Sequence, residues 1–235
     1  MTKSENQVKG SYRNILDEYF KSSVEEKTLG KMFYPNANAT AIDIGHKLGF
    51  SGDEGLNIGA GILAALSPQT EWFTNITMAF EFIETRHVKK QTKANNNKAL
   101  KILDGVEPMD VLGETAFKVK AFYKAIQDPY GNNLIEQVQG FPDNKINLAV
   151  IDKHAGGVYL GWPLIEKEAK QLSNWRTIRR ISNGYFKVAE GLNLHVNEVQ
   201  AVTWHSFRNK YQNRKALSIR KKGKQKNWNK RVEIK

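Results

Sequence analysis

The chain lacks cysteine, and it lacks any apolar run long enough to cross a bilayer. Without thiols it forms neither disulfides nor thiolate metal or iron–sulfur sites. The longest apolar run, IGAGILAALSP, is too short to span a membrane, and the polar residues after Met1 do not resemble a signal peptide. These absences predict a soluble cytoplasmic protein without a membrane partner.

Acidic residues are also few, with 24 Asp and Glu against 36 Lys and Arg. Residues 214–235 carry ten Lys and Arg and one Glu, a net of +9, so residues 1–213 carry the remaining +3 of the total of +12. A flexible basic tail of this kind is typical of a segment that binds nucleic acid phosphate, and a solvated end without a partner is the alternative. The tail residues predicted to bind DNA are Arg220, Lys221, Lys222 and Lys224.

Apolar residues recur at helical spacing along residues 1–213, and no alternating strand pattern or repeat is visible. The segment from Gly55 to Ser67 is apolar all round and rich in Gly and Ala, which predicts a buried helix that its neighbours approach closely. Ser67 followed by Pro68 predicts the start of the next helix, because Ser is a good N-cap and Pro fits a first turn. The predicted fold is all-α, with about ten helices in one domain over residues 1–213.

Several common catalytic signatures are missing. The sequence has no Walker A loop, no dinucleotide-binding glycine pattern after a strand and no GxSxG motif. Its five histidines do not fall at metal-ligand spacing, so we predict no metal site.

A carboxylate stands at the edge of an apolar run in the segment INLAVIDKHAGGVYLGW, which places Asp152 before a helix. Asp is a favoured N-cap, so capping is one interpretation. A carboxylate behind apolar residues that limit solvent also suits catalysis, which is the other interpretation. The two roles are compatible.

Three segments, taken in chain order, carry a resemblance to a known family. They are AALSPQTEWFTN (residues 64–75), VLGETAFKVKAFY (residues 111–123) and VIDKHAGGVYLGW (residues 150–162), with a weaker echo in VQAVTWHSFRN (residues 199–209). Together they resemble the helix-hairpin-helix DNA glycosylase superfamily, in particular its endonuclease III-like group, over about residues 55–209. The resemblance implies a helix-hairpin-helix glycosylase fold that flips a base out of DNA and cleaves its N-glycosidic bond.

The resemblance also implies roles for individual residues. Asp152 corresponds to the catalytic carboxylate, and His154 to a structural histidine. Lys153 is predicted to contact DNA. Gln69 corresponds to the glutamine that fills the gap left by a flipped nucleotide; the alternative is an exposed glutamine in a helix's first turn.

The family's hairpin binds a DNA phosphate through backbone N–H groups, often with the help of a monovalent cation, the one cofactor that the resemblance allows. Gly113 matches its first glycine, whereas Thr115 replaces the second. A nucleophilic lysine follows the hairpin in members with lyase activity. Strict register places Phe117 there, and a turn longer by one residue would place Lys118 there. We therefore favour an enzyme without lyase activity and expect Lys118 and Lys120 to meet phosphate or solvent.

The leading prediction is therefore a DNA N-glycosylase, of a bacterial or phage-infected cell, that acts on a damaged or modified base without a protein partner. Residues 128–147 resemble an insertion, and the family's C-terminal cluster cysteines are absent, so the basic tail would replace that module in binding DNA. Two alternatives stay open: a glycosylase-like enzyme that remodels modified thymine in viral DNA, and a DNA-binding protein of the same fold without catalysis.

Overall fold

The computed structural model describes residues 10–131, 133–136 and 145–212. These residues divide into two compact units, one formed by residues 10–30 and 151–212 and the other by residues 31–131, 133–136 and 145–150. The tail residues that the sequence predicts to bind DNA lie outside the described residues, and so does the predicted domain boundary at residue 213.

The described part of the first unit is helical. It contains the beginning of helix α2, which spans Val24–Lys47. Its other elements are α1 Tyr12–Lys21, α8 Lys153–Leu160, α9 Glu166–Ala169, a 3₁₀ turn Lys170–Ser173, α10 Trp175–Leu192 and α11 Val196–Gln212. Helices α1, α8, α10 and α11 pack on one another around a core that includes Ile15, Val158, Tyr185 and Val202. Burial of one such aliphatic side chain contributes about 2 kcal/mol.

The second unit contains the rest of α2, five further helices and two short strands. These elements are α3 Gly52–Leu66, α4 Trp72–Thr85, α5 Lys93–Leu103, α6 Pro108–Val111, α7 Phe117–Gln127, β1 Leu134–Glu136 and β2 Lys145–Asn147. The strands pair antiparallel, with Ile135 opposite Ile146. The prediction of an all-α protein is confirmed, and the two strands are a small feature that the sequence pattern does not reveal.

Helix α3 forms the centre of the second unit. Every residue from Ile58 to Leu66 is buried, and α4, α5 and α7 pack against this helix. Gly59 permits the close approach of α2, because a Cβ at that position would lie 1.9 Å from the carbonyl oxygen of Ala41. The predicted buried, closely approached helix is therefore confirmed.

The predicted helix start at Ser67 and Pro68 is wrong. Ser67 ends α3 and donates its hydroxyl hydrogen to the carbonyl oxygen of Ala64 at 2.9 Å. The chain then makes a turn in which the N–H of Thr70 donates to the carbonyl oxygen of Ser67, and α4 begins only at Trp72.

Candidate active site

Asp152 is the N-cap of α8 and is half-buried. Its Oδ1 atom accepts hydrogen bonds from the backbone N–H groups of His154 and Ala155, both at 2.8 Å. The capping interpretation is therefore confirmed. The geometry also aims two N–H dipoles and the positive end of α8 at the carboxylate, which stabilises its negative charge.

A second helix holds the other carboxylate oxygen. The indole Nε1–H of Trp204, on α11, donates to Asp152 Oδ2 at 2.9 Å. Three N–H groups from two helices therefore fix the orientation of this carboxylate. The bond to Trp204 is a tertiary contact across 52 residues, and sequence reasoning missed it.

Close packing of α8 and α11 brings Trp204 to Asp152. A Cβ on Gly157 of α8 would lie 2.8 Å from the ring of Phe207, one turn after Trp204 on α11, so only glycine allows this approach. On another side of α8, the buried hydroxyl of Tyr185 donates to the carbonyl oxygen of Ala155 at 3.1 Å. Burial raises the pKa of Tyr185 far above its usual range, so the hydroxyl stays protonated and keeps this bond.

Basic and aromatic side chains pack against the Trp204 indole that holds Asp152. The guanidinium of Arg208 lies 5.0 Å from the centre of the Trp204 ring, and the rings of His154 and His205 meet that indole edge-on. Burial, with a smaller effect of Arg208, lowers the pKa of His205, which favours its neutral form. Lys153 is exposed beside the cap. We call Asp152, Lys153, His154, Trp204 and Arg208 the Asp152 cluster.

The second unit contains the segment that the resemblance predicts to be a hairpin. Helices α6 and α7 are joined by a turn in which the N–H of Ala116 donates to the carbonyl oxygen of Gly113. Gly113 has a φ of 105°, a conformation that only glycine adopts without strain, and Thr115 is exposed in the turn. The ammonium of Lys98 donates to the carbonyl oxygen of Leu112 at 3.0 Å, so a side-chain cation lies at this turn.

A partly buried polar network holds α6 and α7 on α3. The hydroxyl of Tyr123, on α7, lies within hydrogen-bonding distance of Asn57 on α3 and of Glu107 before α6, the latter at 3.1 Å. Burial raises the pKa of Tyr123 far above its usual range. The network therefore fixes the start of α6 and the body of α7 to the same helix.

The two lysines after the hairpin have different environments. Lys118 is half-buried, whereas Lys120 exposes only 3% of its surface. Burial lowers the pKa of Lys120, and the nearby carboxylates of Asp110 and Glu114 oppose the shift. Such burial disfavours the phosphate contact expected of Lys120.

Gln69 lies at the tip of the turn between α3 and α4. Its side chain is exposed and its φ is 60°, which is unusual for a residue with a Cβ. The turn is held from the α4–α5 loop, because Gln91 Nε2 donates to the carbonyl oxygen of Leu66 at 2.7 Å and to Thr70 Oγ1 at 3.1 Å. Sequence reasoning assigned no role to Gln91.

Residues 10–131, 133–136 and 145–212 contain no group of three or more His, Asp or Glu side chains placed to hold a metal ion. Within the same residues, no helix is both long enough and apolar enough to cross a membrane.

The fold and the site define a helical protein with a capped carboxylate set among aromatic and basic side chains. Residues 1–211 match the model of a family of unknown function, DUF7178, and the chain belongs to that family. No curated protein and no solved structure matches the chain.

Proposed function

We propose that this protein is a DNA N-glycosylase that uses Asp152 as its catalytic carboxylate. The observation that carries the proposal is the geometry of Asp152, which three N–H groups hold in one orientation while the residue stays only half-buried. The ordered resemblance of three segments to helix-hairpin-helix glycosylases supports the same assignment.

The chemistry needs a fixed negative charge near the sugar. When the C1′–N bond breaks, its electron pair leaves with the base and the deoxyribose gains oxocarbenium character. An oriented carboxylate stabilises that developing positive charge, and water then adds to C1′ and gives up a proton, which the departed base anion takes up. The N–H groups on Asp152 stabilise its anionic form, which suits an electrostatic role better than proton abstraction.

The other members of the Asp152 cluster suit the handling of a DNA strand. The exposed ammonium of Lys153 and the guanidinium of Arg208 can neutralise phosphates on either side of the reacting nucleotide. Trp204 is a positioning residue, because its indole N–H holds the second oxygen of Asp152.

A lyase step is a second candidate activity, and Lys118 is the residue that could supply it, because Lys118 is half-buried whereas Lys120 is buried. The amine of Lys118 would add to the C1′ aldehyde of an abasic site and expel water to give an imine. Reduction by borohydride would trap that adduct on wild-type protein and not on Lys118→Met.

Base release tests the leading proposal. Duplexes that carry uracil, 5-hydroxymethyluracil, alkylated or oxidised bases are incubated with the wild type, with Asp152→Asn and with Asp17→Asn, which removes an exposed carboxylate of the same unit. We expect release from at least one duplex, a loss of about 100-fold or more in Asp152→Asn and no change in Asp17→Asn. Asn keeps an oxygen for the cap, so unfolding midpoints that match within a few degrees show that folding is preserved.

The other outcomes select the alternatives. Equal release by the wild type and Asp152→Asn would contradict the assignment of Asp152. DNA binding without release from any duplex would favour the catalytically inactive DNA-binding protein. A changed base without an abasic site would favour remodelling of modified thymine.

A further inference from the structure

The α4–α5 loop and helix α5 carry formal charges of positive sign only. Residues 86–103 contain six Lys and Arg and no Asp or Glu. Five of these cations have exposed side chains, and they are Arg86, Lys89, Lys90, Lys93 and Lys101. We call these five residues the α5 basic surface.

The backbone beneath this surface is well ordered by hydrogen bonds. Asn96 is buried in α5, and its side-chain amide accepts from the N–H of Val88 at 2.7 Å and donates to the carbonyl oxygen of Val88 at 3.0 Å. Thr92 caps α5, since its hydroxyl oxygen accepts from the N–H of Asn95 at 3.2 Å. The cations therefore project from a loop and helix that need little ordering to meet a partner.

Nearby carboxylates do not neutralise the surface. Within residues 10–131, 133–136 and 145–212, none of its five cations is in an ion pair. Glu81 of α4 points to the loop, but its Oε1 atom accepts from the backbone N–H of Lys89 at 3.1 Å. Positive charge is thus left to face solvent, and a polyanion is the partner that it fits.

Residues 67–71, which join α3 to α4 and which we call the Gln69 turn, are bonded to the segment that carries this basic surface. Gln91 stands between Lys90 and Lys93 in the chain, and its amide bonds to Leu66 and Thr70 on both sides of Gln69. A few residues on, in the first turn of α4, Phe73 exposes 82% of its surface, whereas its neighbour Trp72 packs on Phe33 and Phe122. An exposed aromatic ring and an exposed amide therefore lie at the entry to α4, and Gln91 bonds this entry to the segment that carries the cations.

We propose that the α5 basic surface, the Gln69 turn and Phe73 form a binding surface for duplex DNA at a nucleotide that has lost its stacking. The cations contact the phosphates of one strand, Phe73 stacks on an exposed base face, and Gln69 offers hydrogen bonds to an unpaired base edge. The inference rests on the proposed function for the choice of DNA. On this inference, the main contact with the DNA phosphates is made by the α5 basic surface and not by the hairpin or the C-terminal tail.

Charge removal tests the cationic part of the surface. One triple variant replaces Lys89, Lys90 and Lys93 by Gln, and a matched control replaces the exposed residues Lys21, Lys31 and Lys47 by Gln, with the same change in net charge. Affinity for a duplex with one mispaired 2-aminopurine is measured between 50 and 200 mM NaCl. We expect the first variant to bind at least about tenfold more weakly than the wild type, and the slope of its log K against log salt concentration to be smaller in magnitude by about 2 to 3. Both quantities should change far less in the control.

The fluorescence of the 2-aminopurine tests the contact at the base. Wild-type protein is expected to raise the fluorescence, because the base leaves the stack on binding. The double variant Gln69→Ala and Phe73→Ala is expected to lose at least half of that rise while it still binds at low salt. An unchanged rise in the double variant would overturn the role of these two residues.

The remaining outcomes separate this inference from the proposed function. Equal weakening of both triple variants, or tighter binding of single-stranded DNA or RNA than of duplex, would overturn the inference alone. Binding that depends on the α5 basic surface without release of any base would leave the inference standing and overturn the glycosylase. A wild-type protein that binds none of these nucleic acids would overturn both.

Discussion

Helix α8 and helix α4 are each preceded by a segment with a polar residue, Asp152 or Ser67, that the sequence identifies as a helix start, and the two residues play different parts in the structure. Before α8, Asp152 caps the helix with two hydrogen bonds of 2.8 Å. Before α4, Ser67 bonds backwards to Ala64, and Gln69 takes a left-handed conformation in the turn that follows. One segment holds a charge in place, and the other presents an exposed amide.

The difference lies in what anchors each segment. Asp152 is fixed mainly by its own helix, and Trp204 adds a single bond from α11. The Gln69 turn is fixed by a side chain some twenty residues later, since Gln91 binds both Leu66 and Thr70. A local rule can identify the first arrangement, whereas the second depends on packing.

Replacement of the cap should have the largest effect on stability. Asp152→Ala removes the cap and leaves the indole N–H of Trp204 without its acceptor in a half-buried site, so we expect a loss of about 3 kcal/mol in the free energy of unfolding. Chemical denaturation measures it. Ser67→Ala is the matched change before α4 and should cost under about 1 kcal/mol. Equal losses in the two variants would remove the distinction between the segments.

The sequence predicts the features of these sites that depend on residues close together in the chain, and it does not predict those that depend on packing between helices. The cap at Asp152 is predictable because the donors lie two and three residues away in the chain. The buried helix α3 is predictable because Gly and Ala at its contacts leave a visible pattern. The bond from Trp204 is not predictable, because it depends on how closely α8 and α11 pack at Gly157.

The α5 basic surface has only a weak signal in the sequence. Its cations are spread over a loop and a helix, whereas the C-terminal tail concentrates ten Lys and Arg within 22 residues. Ser67 shows the opposite case. Its sequence pattern clearly indicates the start of a helix, but in the structure Ser67 lies at the end of α3. Its hydroxyl can cap a following helix or close a preceding one, and the Gln91 anchor favours the second outcome.

Loss of the Gln91 anchor should have the next largest effect. Gln91→Leu keeps the size of the side chain but removes its bonds to Leu66 and Thr70, so we expect a loss of about 2 kcal/mol in the free energy of unfolding. Thr70→Val, which removes only the hydroxyl partner, is the control and should cost about half as much. A loss below about 0.5 kcal/mol for Gln91→Leu would show that the turn holds its shape without the anchor.

The surroundings of Asp152 and of the Gln69 turn should also differ in how they make stability depend on pH. His205 packs on Trp204, the residue that holds Asp152, whereas the Gln91 anchor is neutral. Because the pKa of His205 is lowered in the folded protein, the unfolded chain binds this proton more readily. The contribution of His205 to stability is therefore full above about pH 6.5 and declines as the pH falls below that value. His205→Gln should flatten the dependence of stability on pH between 5 and 7, whereas Gln91→Leu, which changes only neutral groups, should leave its slope as in the wild type. If His205→Gln left the slope of the free energy of unfolding against pH unchanged, His205 would not be the group that causes this dependence.

The smallest expected effect is a gain in stability at the tip of the turn. A residue with a Cβ at a φ of 60° carries a cost of about 1 to 2 kcal/mol that glycine avoids, and the greater freedom of glycine in the unfolded chain offsets about 0.4 to 1 kcal/mol of it. Gln69→Gly should therefore raise the free energy of unfolding by about 0.5 kcal/mol, as measured by denaturation, while it abolishes the amide that we assign to an unpaired base. Gln69→Ala is the control, since it removes the same amide and keeps the Cβ, and it should not stabilise. A stabilised Gly variant that gives the full wild-type fluorescence with 2-aminopurine would mean that the Gln69 amide takes no part in the contact with the base.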